Sequence, residues 1–283
     1  MRPDSRPHEE KRAMNKQTLL LALLALAGGP ATAALADDVP PVVPVTPVVP
    51  PVSHDPEAVE YLKTLEGVIQ KQTEAESLSS IRQLVAFWKD AAVKAETKKP
   101  IPGLVAWYAR RKVEGVALAG VAGLADIGKG EGAKNLVAVL DAVLVKDDSK
   151  PDEIGAVVTD AVFAALKQVA DPDASVTTPI VKLFLHPNDA VVAKAADVFA
   201  GYGKAPTAVR RDLFEEMLRS FEGVASQAQA AAKGVNKSAL NKWVAVGSAV
   251  MGSIDALSHQ RFATMAAARE WFNEHKNKID AWT

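Results

Sequence analysis

The 283-residue chain, 48% hydrophobic and 24% charged, is long enough to bury a sizeable core and has an ordinary globular composition. Its net charge of −1 excludes a global pull towards nucleic acid or anionic lipid. The absence of cysteine excludes disulfides, thiolate zinc sites, a cysteine nucleophile and a lipid-modified cysteine anchor.

From Met14 the chain reads Met-Asn-Lys-Gln-Thr, then an apolar run from Leu19 to Ala27, then small residues ending Ala34-Leu35-Ala36. A basic start, a short apolar stretch and an A-x-A site are the parts of a secretory signal peptide, and the run is too short to span a bilayer as a helix. Residues 1–36 are therefore expected to be a signal peptide cleaved after Ala36, with Met14 as an alternative start. Five basic and three acidic residues leave with it, taking the net charge from −1 to −3. The expected location is the periplasm or the cell exterior. Residues 37–54, DDVPPVVPVTPVVPPVSH, form a Pro/Val-rich linker of polyproline II character, because proline fixes φ and lacks an amide donor.

A helical region of hairpins is expected over 55–112. Asp55-Pro56-Glu57 opens a helix with Asp55 as cap and Val59, Leu62, Leu65 and Ile69 as its apolar stripe. Ser77 or Ser79 opens a second, with Ile81, Leu84, Val85, Trp88 and Ala92 at helical spacing, ending in Lys94 to Lys99 before Pro100. Pro102 starts a short third helix with Leu104, Val105 and Tyr108. No stretch alternates in the manner of a strand, so the fold class is all-α.

Over 113–222 three units of two helices follow. Val113 to Gly128 is answered by Ala133 to Leu144, Ile154 to Ala170 by Thr178 to Leu185, and Leu185 to Gly203, with its Pro/Asn/Asp start, by Val209 to Phe221. Leu124, Leu166 and Phe199 occupy matching places, and an insertion lies at Lys146 to Glu153. Leu124-x-x-Ile127-Gly128 and Phe199-x-x-Tyr202-Gly203 resemble the end of the first helix of a HEAT-like repeat. Leu136-x-x-Val139-Leu140 and Ile180-x-x-Leu183-Phe184 resemble its second helix. The resemblance implies an α-solenoid of stacked antiparallel helix pairs, in which neighbours bury the faces that one pair leaves open. The family's arginine after the first-helix valine is replaced by Val192 and Ala117. Its usual source of a polar network between stacked helices is therefore missing.

Residues 223–283 are expected to form a helical cap. Lys237 to Leu257 is a long helix with Leu240, Trp243, Val244, Gly247, Val250, Met251 and Ile254 on one side, while Ala228 to Gly234 reads as a loop or a poorly packed helix. Phe262, Trp271, Phe272 and Trp282 concentrate aromatic rings at the end of the chain. They either plug the open end of the stack or form an exposed patch for a partner or glycan, with Trp282 the ring expected to be most exposed.

Catalytic, cofactor-binding and metal-ligating sets are not expected. The histidines are scattered and no nucleophile elbow, P-loop or zinc-binding motif occurs. Gly128 to Gly132 reads as an inter-helix turn, and Asp147, Asp148, Asp152 and Glu153 as a solvated acidic loop. Candidate partner-binding residues are the basic runs Arg110-Arg111-Lys112 and Arg210-Arg211, together with Trp271 and Trp282. Glu215 and Glu216 are expected to neutralise Arg211 and Arg219 on their own helix. The expected function is an exported, non-enzymatic interaction or scaffold module for another envelope or secreted protein. A lyase- or hydrolase-like enzyme and a glycan- or cell-wall-binding protein are the competing classes. Nucleic acid and stable membrane insertion are not expected.

Overall fold

The computed structural model describes residues 54–144, 153–231 and 237–282. The expected signal peptide, the expected linker before His54, and the acidic insertion before Glu153 lie outside them. Among the described residues there are twelve α-helices and no strand. They are α1 (Asp55–Val68), α2 (Glu74–Lys89), α3 (Ala95–Lys98), α4 (Ile101–Ala109), α5 (Glu114–Ile127), α6 (Glu131–Val143), α7 (Glu153–Val169), α8 (Ala174–Lys182), α9 (Asp189–Val198), α10 (Thr207–Ala231), α11 (Lys237–Ser258) and α12 (Met265–His275). Single 3-10 segments follow α1, α8 and α9, and one closes the chain at Ile279–Trp282. The all-α expectation holds for these residues.

Local hydrogen bonding moves several helix ends from their expected places. Helix α2 begins before Ser77 because Thr73 and Glu76 form a capping box: the Glu76 amide donates to Thr73 Oγ1 at 3.3 Å, and the Thr73 amide donates to Glu76 Oε2 at 2.7 Å. It also ends early. The Asp90 carboxylate accepts the Ala92 amide at 2.8 Å and turns the chain, so Ala95–Lys98 is a separate helix and Pro100 caps α4 instead of stopping α2. Asp55 is not a cap. It is the first residue of α1, and its buried carboxylate accepts the Lys94 amide (3.0 Å) and the Thr97 hydroxyl (2.7 Å). Those bonds hold its pKa below the ordinary carboxyl value. The buried apolar stripe of α1 is Ala58, Leu62 and Leu65, continued by Ile69 of the 3-10 segment that follows, while Val59 is exposed. Helix α8 starts before Thr178, because the Asp173 carboxylate accepts the Ser175 amide at 2.7 Å.

Two rows of contacts organise the chain. Helix α4 packs on α2, α6 on α4, and α8 on α6; α7 packs on α5, α9 on α7, and α11 on α9. One apolar cluster runs continuously from Ala58 to Trp282. Small residues set the closest approaches. A Cβ on Gly120 of α5 would lie 2.5 Å from the Ala109 amide nitrogen of α4, and a Cβ on Gly201 would strike the Lys167 carbonyl of α7. The first helix of the third unit was expected to run to Gly203. Here α9 has already given way to the 3-10 segment at Phe199, and at Gly201 it is the close backbone approach that requires glycine.

Polar pins join the packed helices, although the arginines typical of HEAT-like repeats have no counterpart at Ala117 and Val192. Lys167 of α7 reaches both carboxylate oxygens of Asp197 in α9 at 2.9 Å, Lys194 of α9 pairs back to Asp160 of α7, and Lys89 of α2 pairs with Asp126 of α5 at 2.9 Å. Successive turns are tied as well. Buried Asp171, in the α7–α8 turn, accepts the Gly130 amide of the α5–α6 turn at 2.5 Å, and its own carbonyl accepts the Tyr202 hydroxyl at 2.8 Å. Gly128 and Gly130 have φ of 85° and 76°, left-handed values that glycine tolerates, and Gly128–Gly132 is the expected inter-helix turn.

The aromatic end is packed inwards. Phe262, Trp271, Phe272 and Trp282 surround Phe214 of α10 at centroid distances of 6.1, 5.7, 5.5 and 5.4 Å. Helix α10 continues to Ala231, with Ala228 and Ala231 buried, where a loop or loose helix was one expectation. Val244, expected on the packed side of α11, is 75% exposed.

Candidate functional site

The basic run Arg110-Arg111-Lys112 follows the last turn of α4. Leu104 to Ala109 bury most of the preceding turns, and α4 ends as the Arg110 amide donates to the Trp107 carbonyl at 3.2 Å. The Arg110 side chain folds back, its Nε donating to the Ala106 carbonyl at 3.2 Å. The Arg111 guanidinium lies 4.8 Å from the centroid of the Trp107 ring, a cation–π contact that holds it in one orientation. Lys112 is exposed.

These three side chains rim a cleft of about 160 Å³ between the end of α4, the end of α6 and the start of α7. Buried Ala109 and Val158 line its base, with half-buried Val143 and Ile154 at its walls. Among the described residues, no carboxylate forms an ion pair with Arg110, Arg111 or Lys112. A basic rim over an apolar base can hold an anionic group and one aliphatic side chain together.

The other expected residues separate from this cleft. Arg210 is 5% exposed, which corrects its reading as a surface cation. Its Nε donates to the Ala205 carbonyl (3.1 Å), Nη1 to the Leu257 carbonyl (3.0 Å), and Nη2 to the Trp282 carbonyl. The guanidinium is drawn inside because the end of α11 and the end of the chain present carbonyls with no helical partner. Burial lowers its pKa from the usual arginine value. Arg211 is half-exposed and pairs with neighbouring Asp212 at 3.6 Å, while Arg219 takes both Glu216 (2.8 Å) and Glu215 (3.6 Å).

Trp282, expected to be the most exposed ring, is 1% exposed, and its Nε1 donates to the His275 carbonyl at 3.0 Å. The large ring is held inward by Phe214, Trp271 and Phe272. Trp271 is half-buried and stacks on the His275 ring at 5.0 Å. Of the seven candidates, only Arg110, Arg111 and Lys112 come together on one accessible surface.

Three hydrogen-bonding roles escaped the sequence reading: those of Asp171, the Tyr202 hydroxyl and Gln72. The Tyr108 hydroxyl donates to Gln72 Oε1 at 2.6 Å, closing the α1–α2 turn onto α4. Burial raises the pKa of both Tyr108 and Tyr202. The Asp173 cap of α8 is a local bond to Ser175, but the partners of Asp171 lie 41 and 31 residues away, beyond the reach of local signals.

Among the described residues, no three acidic, histidine or cysteine side chains gather in a metal-binding group, and no helix is long and apolar enough to cross a membrane. Of the acidic loop only Glu153 is described, as the first residue of α7. Comparison with protein-family models, with curated proteins and with solved structures finds no match.

Proposed function

We propose that the chain is a HEAT-like α-solenoid of antiparallel helix pairs that works as a non-enzymatic protein-interaction module, exported to the periplasm or the cell exterior. The observation that carries the reading is the pair of contact rows, α2–α4–α6–α8 and α5–α7–α9–α11, in which each helix packs on the one two places before it. Contact confined to near neighbours is the organisation of repeat proteins, whose extended faces bind other proteins. The turn-to-turn bonds through Asp171 support a regular stack. Export rests on the signal anatomy of residues 14–36. The inward packing of Phe272 and Trp282 removes much of the ring surface on which a glycan-binding reading depends.

Affinity capture from an envelope extract, with the chain from Asp37 as bait at low and moderate salt, tests the reading. A stoichiometric protein partner is the expected result. No partner at either salt would overturn it, and a mature N-terminus elsewhere than Asp37 would correct the expected cleavage site.

A further inference from the structure

We infer that the cleft between α4, α6 and α7 binds an acidic peptide segment carrying one aliphatic anchor residue. The inference deepens the interaction-module reading and rests on it. Charge complementarity comes first: Arg110, Arg111 and Lys112 place three cations on one rim, and no described carboxylate pairs with any of them. Preorganisation comes second. The Arg111 guanidinium carbon lies over the Trp107 ring, 4.8 Å from its centroid, and the Ala106 carbonyl holds Arg110 through Nε, which leaves the terminal nitrogens of Arg110 to turn towards a ligand. A side chain already held in place loses little rotamer freedom on binding.

The third observation is the base of the cleft. Ala109, Val143, Ile154 and Val158 make it apolar, and about 160 Å³ accommodates a branched aliphatic side chain but no folded element. A phosphate or a duplex backbone would use the rim and leave that base empty; an acidic segment with a single leucine or valine fills both. Neutralising the C-terminal end of α4 is the competing role for these cations. Arg110 performs it through its bond to Ala106, whereas Arg111 is committed to the Trp107 face and Lys112 is exposed beyond the helix end.

The probe is a fluorescein-labelled peptide of aspartates flanking one leucine, titrated against the purified chain and followed by fluorescence anisotropy. Salt-sensitive binding is expected. It should weaken roughly ten-fold in the Arg111→Ala/Lys112→Ala variant, the sum of two exposed ion pairs, while loss of the Trp107 contact lowers the melting temperature by no more than about 4 °C. Lys112→Glu, at an exposed position, gives a second reading of the same charge. A peptide with serine for leucine should bind more weakly than the parent. Equal binding by the double variant, equal binding of an asparagine-for-aspartate peptide, or full displacement by equimolar inorganic phosphate would overturn the inference. So would markedly tighter binding by a chain carrying Asp147→Asn, Asp148→Asn and Asp152→Asn, since the cations would then already be engaged within the chain. Capture of the same envelope partner by wild type and by the double variant would remove the cleft and leave the module reading intact.

Discussion

Replacing Asp171 tests whether the fold depends on the bond between the α5–α6 and α7–α8 turns. The carboxylate is 5% exposed; Oδ2 accepts the Gly130 amide at 2.5 Å and Oδ1 accepts the Asp173 amide at 3.0 Å. Asparagine keeps the shape and one acceptor, but its amide nitrogen would meet the Gly130 N–H donor to donor. A hydrogen bond to a charged acceptor contributes about 1.5–3 kcal/mol, and an unsatisfied buried donor is similarly costly, so Asp171→Asn should destabilise by about 2–3 kcal/mol and Asp171→Ala by about 3–5 kcal/mol. For a unit of this size each kcal/mol lowers Tm by roughly 2–4 °C, so Asp171→Asn should lose about 5–10 °C. Circular dichroism at 222 nm during heating and in urea gives both quantities. Hydrogen exchange gives the location: the Gly130 amide, together with the Ala133 amide that donates to the Gly128 carbonyl at 3.0 Å, should lose protection first. A melting temperature for Asp171→Asn within about 2 °C of wild type would refute the reasoning, because a buried donor would have lost its partner at no cost.

Trp282→Ala should cost about 3–5 kcal/mol, the range for emptying a large buried aromatic site, and should abolish much of the near-ultraviolet circular dichroism; a loss below about 1 kcal/mol in urea titration would mean that the ring cluster is not built as described. Asp55 supplies a pH dependence. The Thr97 hydroxyl and the Lys94 amide hold its pKa below the ordinary 3.8, so its contribution is fully present above that value and is lost as pH falls through the lower folded value. Thermal melts from about pH 6 down to about pH 2 should show a steeper acid loss for wild type than for Asp55→Asn, and parallel curves would sink the assignment.

Much of the helical layout was legible because apolar periodicity and buried stripes coincide. Val191, Ala195, Val198, Phe199 and Tyr202 are all buried, as their spacing predicts, and so are Leu136, Val139 and Leu140. Helix ends were less so. The Thr73-x-x-Glu76 box was present in the sequence and outranks Ser77 because it satisfies two amides at once, whereas Asp55 has the local signature of a cap and a tertiary role that no local signal encodes. The basic pair Arg210-Arg211 shows the limit most clearly. Adjacent residues of one type point in directions about 100° apart on a helix, so one is half-exposed and the other enters the core. Its acceptors come from two distant segments, which composition and spacing do not bring together. The triad Arg110-Arg111-Lys112 was found from charge alone, but the apolar base beneath it needed α6 and α7 in place.

The Arg210 node also sets an order of events during synthesis. Its guanidinium donates to the Leu257 carbonyl, 47 residues downstream, and to the Trp282 carbonyl, 72 residues downstream. While α9 and α10 are leaving the ribosome, neither acceptor exists, and the cation must stay in water. The helices before Arg210 can assemble as they emerge, since chains fold from the N-terminus first, whereas the Arg210 node can lock only once Trp282 has emerged as well. A nascent chain stalled before Trp282 would therefore carry a formed front and an unlatched rear, with Phe214 waiting for the rings that enclose it. The arrival of Trp282 is the event that closes this node.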